Sequence, residues 1–186
     1  MELKYGLISA DDHVQEHPEV WTLRMSKQKW GDRIPHIERQ PDGNDLWVLG
    51  GQKIKSSGLA AAGAVLSDRT QEPKRWEDVP PMVYNPRERL KAMDANGVDY
   101  SVLYPTIAGL AAETFGKLDD PDLELACVQA YNDWLIDYCQ KVLQAFEEAN
   151  ARGDGSIAFG GQLIDRPIIE RARRTLDMAK SLGMIN

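Results

Sequence analysis

Asp11 and His13 are the residues of this chain whose types and spacing best suit chemistry. They follow the apolar run Leu7-Ile8-Ser9-Ala10, which predicts a buried strand with polar last residues. Side chains at i and i+2 of a strand share a face, so this carboxylate and this imidazole reach one cation from one side. The donor pair suits Zn²⁺, Mn²⁺ or Fe²⁺, and Asp12 between them points to the opposite face. The same residue types also cap turns or bond backbone at strand ends. Glu16 stands close by as a loop carboxylate. The other two histidines, His17 and His36, read as surface or loop-packing residues of the early loop.

The elements that must position these residues follow from periodicity and punctuation. Residues 14–84 show little helical period and much Pro, Gly and charge. Within them Leu46 to Leu49 and Gln52 to Ile54 flank Gly50-Gly51, which predicts a β-hairpin. Ser56 to Ala64 reads as a Gly/Ala-rich loop. Asn85-Pro86-Arg87-Glu88 forms a capping box, and the helix it opens carries Leu90 and Met93 inward and stops at Gly97. Val98 to Tyr104 is then a strand closed by Pro105, with Tyr104 and Thr106 at its C-terminal end as candidates to line a pocket. Asp120-Pro121 opens a helix whose apolar face runs Leu123, Cys127, Ala130, Trp134, Tyr138. No Pro or Gly follows until Gly153, and the stripe continues in phase through Val142, Phe146 and Ala149. One helix of roughly 30 residues is expected. Ile157 to Phe159 and Gln162 to Ile164 form a second hairpin about Gly160-Gly161. Pro167 starts a last helix with Ile169, Ala172, Leu176 and Ala179 on its stripe. Strand, helix, strand, helix implies an α/β class with parallel pairing, followed by a small helix-hairpin-helix appendage.

Composition narrows the function classes. The 186 residues are 42% apolar and 27% charged, as globular domains are. With 22 basic and 29 acidic residues the net charge is −7, against a nucleic-acid or anionic-membrane surface. The N-terminal residues lack a signal-peptide core, and Cys127 and Cys139 read as reduced thiols, so a cytoplasmic protein is expected. Arg171, Arg173 and Arg174 read as a solvated face, and Gly153-Asp154-Gly155 lacks the Lys-Ser/Thr of a phosphate loop.

Larger motifs carry two resemblances. Ile8 to Trp21, Tyr84 to Leu90, Met93 to Asp99, Leu103 to Thr106, and Ala130 to Cys139 together resemble the amidohydrolase-2 family. This family of metal-dependent hydrolases and decarboxylases includes aminocarboxymuconate semialdehyde decarboxylase. The resemblance covers residues 5 to about 140 and implies a partial (β/α) barrel of amidohydrolase type with the β-hairpin as an insertion. It implies that Asp11 and His13 are metal ligands, Zn²⁺ foremost, with Glu16 behind them, and that the substrate is a small carboxylate or amide. Phe146 to Gly155, Gly161 to Pro167, and Arg171 to Leu176 resemble the C-terminal lid of the citrate lyase β-subunit/malyl-CoA lyase family. That second resemblance implies a lid segment from residue 141 to 186, and a catalytic role for Asp165 if it serves an active site. Asp165 also reads as the N-terminal cap of the last helix.

Three functions follow as expectations. The first is a metal-dependent hydrolase or non-oxidative decarboxylase, weak or inactive as this chain because the later ligands of the family site are missing. The second is a non-catalytic chimeric or interaction module, and the third a lid that assists a citrate-lyase-like partner in trans. Uncovered sheet edges and an apolar sheet face predict self-association.

Overall fold

The computed structural model describes residues 6–54, 75–109, 113–152, 157–159, 162–164 and 166–185. The Ser56 to Ala64 loop, the Gly153 to Gly155 run, the Gly160-Gly161 turn and Asp165 lie outside the described residues. In chain order the elements are β1 (Ile8–Val14), α1 (Glu19–Thr22), α2 (Lys27–Trp30), β2 (His36–Arg39), β3 (Asp45–Leu49) and β4 (Gln52–Ile54). They continue with α3 (Pro86–Asn96), β5 (Tyr100–Pro105), α4 (Pro121–Arg152), β6 (Ile157–Phe159), β7 (Gln162–Ile164) and α5 (Arg166–Ser181). The class is mixed α/β. The chain divides into two compact units, Met1–Ala130 and Tyr131–Asn186.

In the first unit β1 and β5 pair in parallel, as the strand-helix-strand order requires. Among the described residues this sheet has two strands. The helix between them is built as its sequence dictates. Asn85 Oδ1 accepts the Glu88 N–H at 3.4 Å, and the helix ends at Gly97 with φ +66°. Burial departs from expectation. Leu7 and Ile8 are 49% and 56% exposed, and Leu90 of α3 is exposed as well. Apolar composition marks a strand or helix face that wants cover, and here the described residues leave these faces open.

The core of this unit lies instead against an antiparallel sheet ordered β2-β3-β4. The expected hairpin is β3–β4. β2 was not anticipated, because His36-Ile37-Glu38-Arg39 is short and of mixed polarity. Trp47, Val48 and Leu49 are buried together with Val20, Trp21, Phe115, Leu123 and Cys127. The Trp21 ring stands edge-on to Trp47 at 5.8 Å and to Phe115 at 5.7 Å, a favoured aromatic geometry. Its indole N–H donates to the Cys127 carbonyl at 3.2 Å.

Gly50 and Gly51 turn the hairpin with φ of +60° and +81°, the sign that a two-residue primed turn demands. A Cβ on Gly50 would also lie 3.0 Å from Leu118 Cδ2, whereas on Gly51 the nearest atom is Arg33 Cγ at 3.9 Å. Gly50→Ala is therefore expected to cost about 2 kcal/mol, from a positive φ and crowding together. Gly51→Ala should cost less. Urea denaturation followed by tryptophan fluorescence checks the order.

Helix α4 starts where Asp120 Oδ1 accepts the Leu123 N–H at 3.0 Å, and it continues without a break for 32 residues. The expected single helix is present, and Gln140-Lys141 falls inside it. In the second unit Cys139, Val142 and Ala149 of α4 pack on Ile169 and Ala172 of α5, with Tyr138, Phe146 and Leu176 around them. Both stripes named from sequence supply this core. The Arg173 guanidinium sits 5.5 Å from the Phe146 ring centroid, a cation–π contact rather than a purely solvated position. β6 and β7 pair antiparallel as the second hairpin. Cys127 and Cys139 are free and buried, and burial pushes the Cys127 thiol up to about 12, so it is inert as a nucleophile at neutral pH.

Candidate metal-binding site

The C-terminal half of β1 owes its geometry to an irregularity. Ile8 and Ser9 pair with Tyr100 and Ser101, whereas Asp12, His13 and Val14 pair with Leu103, Tyr104 and Pro105. Three steps along β1 thus match two along β5, so β1 carries one extra residue in a β-bulge. Ala10 and Asp11 are both exposed there, and the alternation resumes with Asp12 half-buried and His13 exposed. Asp12 accepts a hydrogen bond from the Ser101 hydroxyl on the inner side. Asp11 and His13 share the outer face, with Asp11 Oδ1 3.8 Å from His13 Nε2.

Several contacts hold this segment. The Arg89 guanidinium on α3 donates to the His13 carbonyl at 2.5 Å. The Gln15 N–H donates to the Val83 carbonyl at 2.9 Å. Glu16 is buried and accepts three backbone N–H bonds, from Thr106 at 3.1 Å, Ile107 at 2.9 Å and Ala108 at 3.1 Å. One carboxylate therefore ties the chain leaving β1 to the chain leaving β5. Burial pushes its carboxyl above the usual 4.5, against the pull of the three donors.

The residues singled out from sequence divide into those brought together and those that are not. The Tyr104 ring lies 6.1 Å from the His13 ring, so Tyr104 borders the pair. Thr106 is engaged through its backbone with Glu16. His17 packs edge-on against Trp76 at 5.3 Å, and its Nδ1 accepts the Glu19 N–H at 3.3 Å. His36 Nδ1 lies 2.6 Å from the Ile34 carbonyl, so it carries the proton and donates. Two residues with no role assigned from sequence matter for position. Arg89 fixes the His13 backbone, and the capping box that places it in the first turn of α3 was the available signal. Gln15 is buried beside Glu16, and its amide nitrogen has no partner among the described residues.

A tetrahedral Zn²⁺ with bonds of roughly 2.0–2.1 Å sets its donors about 3.4 Å apart. The observed 3.8 Å is close to this, and both side chains are exposed enough to rotate inward. The donor chemistry fits a divalent ion, but the number does not. A catalytic site takes at least three protein ligands, and among the described residues no group of three His, Cys, Asp or Glu could hold a metal ion.

No protein-family model matches the chain. Among curated proteins, a stretch of 51 residues is 37% identical to the citrate lyase subunit beta of Leuconostoc mesenteroides subsp. cremoris, covering 27% of this chain and 17% of that protein. A stretch of 46 residues is 37% identical to the citrate lyase subunit beta of Haemophilus influenzae, covering 25% and 16% respectively. The matched stretches thus span about a sixth of the length of these relatives. Among solved structures, an amidohydrolase from Mycobacterium avium subsp. paratuberculosis K-10 is similar over 73% of this chain and 38% of its own, with 19% identity and a TM-score of 0.48. Among the described residues no helix is long and apolar enough to cross a membrane.

Proposed function

We propose that residues 1–140 are an amidohydrolase-like segment that contributes Asp11 and His13 to a divalent-metal site, Zn²⁺ foremost. The class of reaction is hydrolysis or non-oxidative decarboxylation of a small carboxylate or amide. The observation that carries this reading is the pair itself: an acid and an imidazole 3.8 Å apart on the outer face of a parallel strand, next to Tyr104. Glu16 and Arg89 support it by holding the two loops and the His13 backbone in place. Calorimetric titration of the purified chain with Zn²⁺ tests it. The wild type is expected to bind Zn²⁺ weakly, and Asp11→Ala with His13→Ala to bind none while keeping the wild-type circular dichroism. Equal binding by both would make the pair structural only.

The citrate-lyase-like stretch favours a second role for residues 141–186, as a lid serving a lyase barrel in trans with Asp165 as its acidic group. Binding of this chain to a citrate lyase β-subunit that lacks its own C-terminal segment tests that role, and no binding would dismiss it.

A further inference from the structure

We propose that the backbone leaving β5 is a pre-formed nest for a carboxylate, and that Glu16 is its tethered occupant rather than the source of its shape. Three consecutive N–H groups converge there on one anion. Thr106 and Ile107 donate to Glu16 Oε2 at 3.1 and 2.9 Å, and Ala108 donates to Oε1 at 3.1 Å. Two donors on one oxygen and a third on the other match a planar anion with two oxygens and suit a spherical one poorly. Glu16 is only 2% exposed, and backbone N–H groups are what favour its charge while burial opposes it. The nest therefore serves the buried carboxylate in place of a cationic side chain, and it needs no metal.

The shape of the nest has supports of its own. Pro105 lies opposite Val14 in the parallel ladder and carries no N–H, so the run of donors begins at Thr106. Ile107 and Ala108 are both buried, which anchors the middle of the run. The Ala108 carbonyl accepts the Thr114 N–H at 3.2 Å. Gly109 then takes a φ of +72°, at a place where a Cβ would lie 2.7 Å from Thr114 Oγ1. None of these contacts involves the Glu16 side chain. Without that side chain the three N–H groups stay aimed at a space one carboxylate wide, and a free carboxylate from solution can fill it.

Urea denaturation of Glu16→Ala with sodium formate as the probe, and sodium chloride at equal ionic strength as the control, tests the proposal. Formate should raise the unfolding midpoint of this variant saturably. At about ten times its dissociation constant it should favour the folded state about tenfold over chloride. In the wild type the nest is filled, and in Glu16→Gln the amide occupies the same space, so both should respond alike to the two salts. If Glu16→Ala is unfolded in chloride, formate should restore the wild-type circular dichroism. Equal behaviour of Glu16→Ala in formate and chloride, whether folded or unfolded, would show that the loop loses its shape with Glu16 and overturn the nest. An equal gain in the wild type would mark a general solvent effect and would overturn it too.

Discussion

Glu16→Ala is expected to lower the stability of the first unit by about 3–4 kcal/mol, because two buried N–H donors and a part-buried one lose their acceptor at roughly 1–3 kcal/mol each, offset in part by entering water. Those donors belong to Thr106, Ile107 and Ala108, about 90 residues further along the chain, so the loss falls on a long-range connection. Glu16→Gln keeps the shape and one acceptor oxygen, and should cost less. The pH dependence has a definite sign. Burial raises the Glu16 carboxyl above 4.5, so the folded state binds its proton more tightly than the unfolded state does. This group's contribution therefore grows as pH falls from the raised folded value toward 4.5 and is constant below that. The Gln variant should lack this acid-side gain. Urea titrations across that window, read by tryptophan fluorescence, measure both effects, since four of the five tryptophans (Trp21, Trp30, Trp47 and Trp76) lie in this unit. A Gln variant with the wild-type slope would show that Glu16 does not titrate as its burial implies.

The second large effect is expected at Asp45, the one buried carboxylate of the antiparallel sheet. Arg39 Nε reaches Asp45 Oδ1 at 2.5 Å and its Nη2 reaches Oδ2 at 3.1 Å, while the Trp76 N–H donates to Oδ2 at 2.8 Å. Arg39 also bonds Glu77 at 2.9 Å. Asp45→Ala removes the acceptor shared by strand β2 and the segment after Arg75, and should cost about 2 kcal/mol, most of it from the part-buried Trp76 N–H left without its acceptor. The guanidinium is half exposed, so its charge is screened and supplies little of that figure. Here the pH sign reverses. The Arg39 hydrogen bonds hold the Asp45 carboxyl below its usual 3.8, so its stabilisation is complete above 3.8 and is lost as pH falls through the lower folded value. Acid unfolding of Asp45→Asn should be flatter below pH 3.8 than that of the wild type. The Glu16 and Asp45 windows lie on opposite sides of about pH 4, so the two carboxylates can be separated in one series.

Much of the local structure was legible in the residues. Asn85, Pro86 and Gly97 bound α3, Gly50-Gly51 marks the β3–β4 turn, and the unbroken stripe from Leu123 to Ala149 gives one long α4. These features rest on neighbours within a turn or two, where propensity and capping decide. What covers an element is not local. Ile8 and Leu90 have core composition and yet stand exposed, because burial depends on what else in the fold comes to lie over them. The Asp11–His13 face was readable from the strand period, and its donors do share a side. Glu16 showed its type but not its task, since its partners arrive from β5. Arg39 and Asp45 carried no spacing signal at all, because an ion pair between adjacent strands is visible only once their register is known.

The bulge in β1 makes the strand unequally tolerant of length change. The surplus residue lies between Ser9 and Asp12. Losing Ala10 would restore a regular ladder in which Asp11 faces Val102 and His13 still faces Tyr104, so both donors would keep their side. Losing Asp12 instead would also restore a regular ladder, but with Asp11 opposite Leu103 on the inner face and His13 still opposite Tyr104, which parts the two. A deletion is thus buffered upstream of the pair and decisive within it.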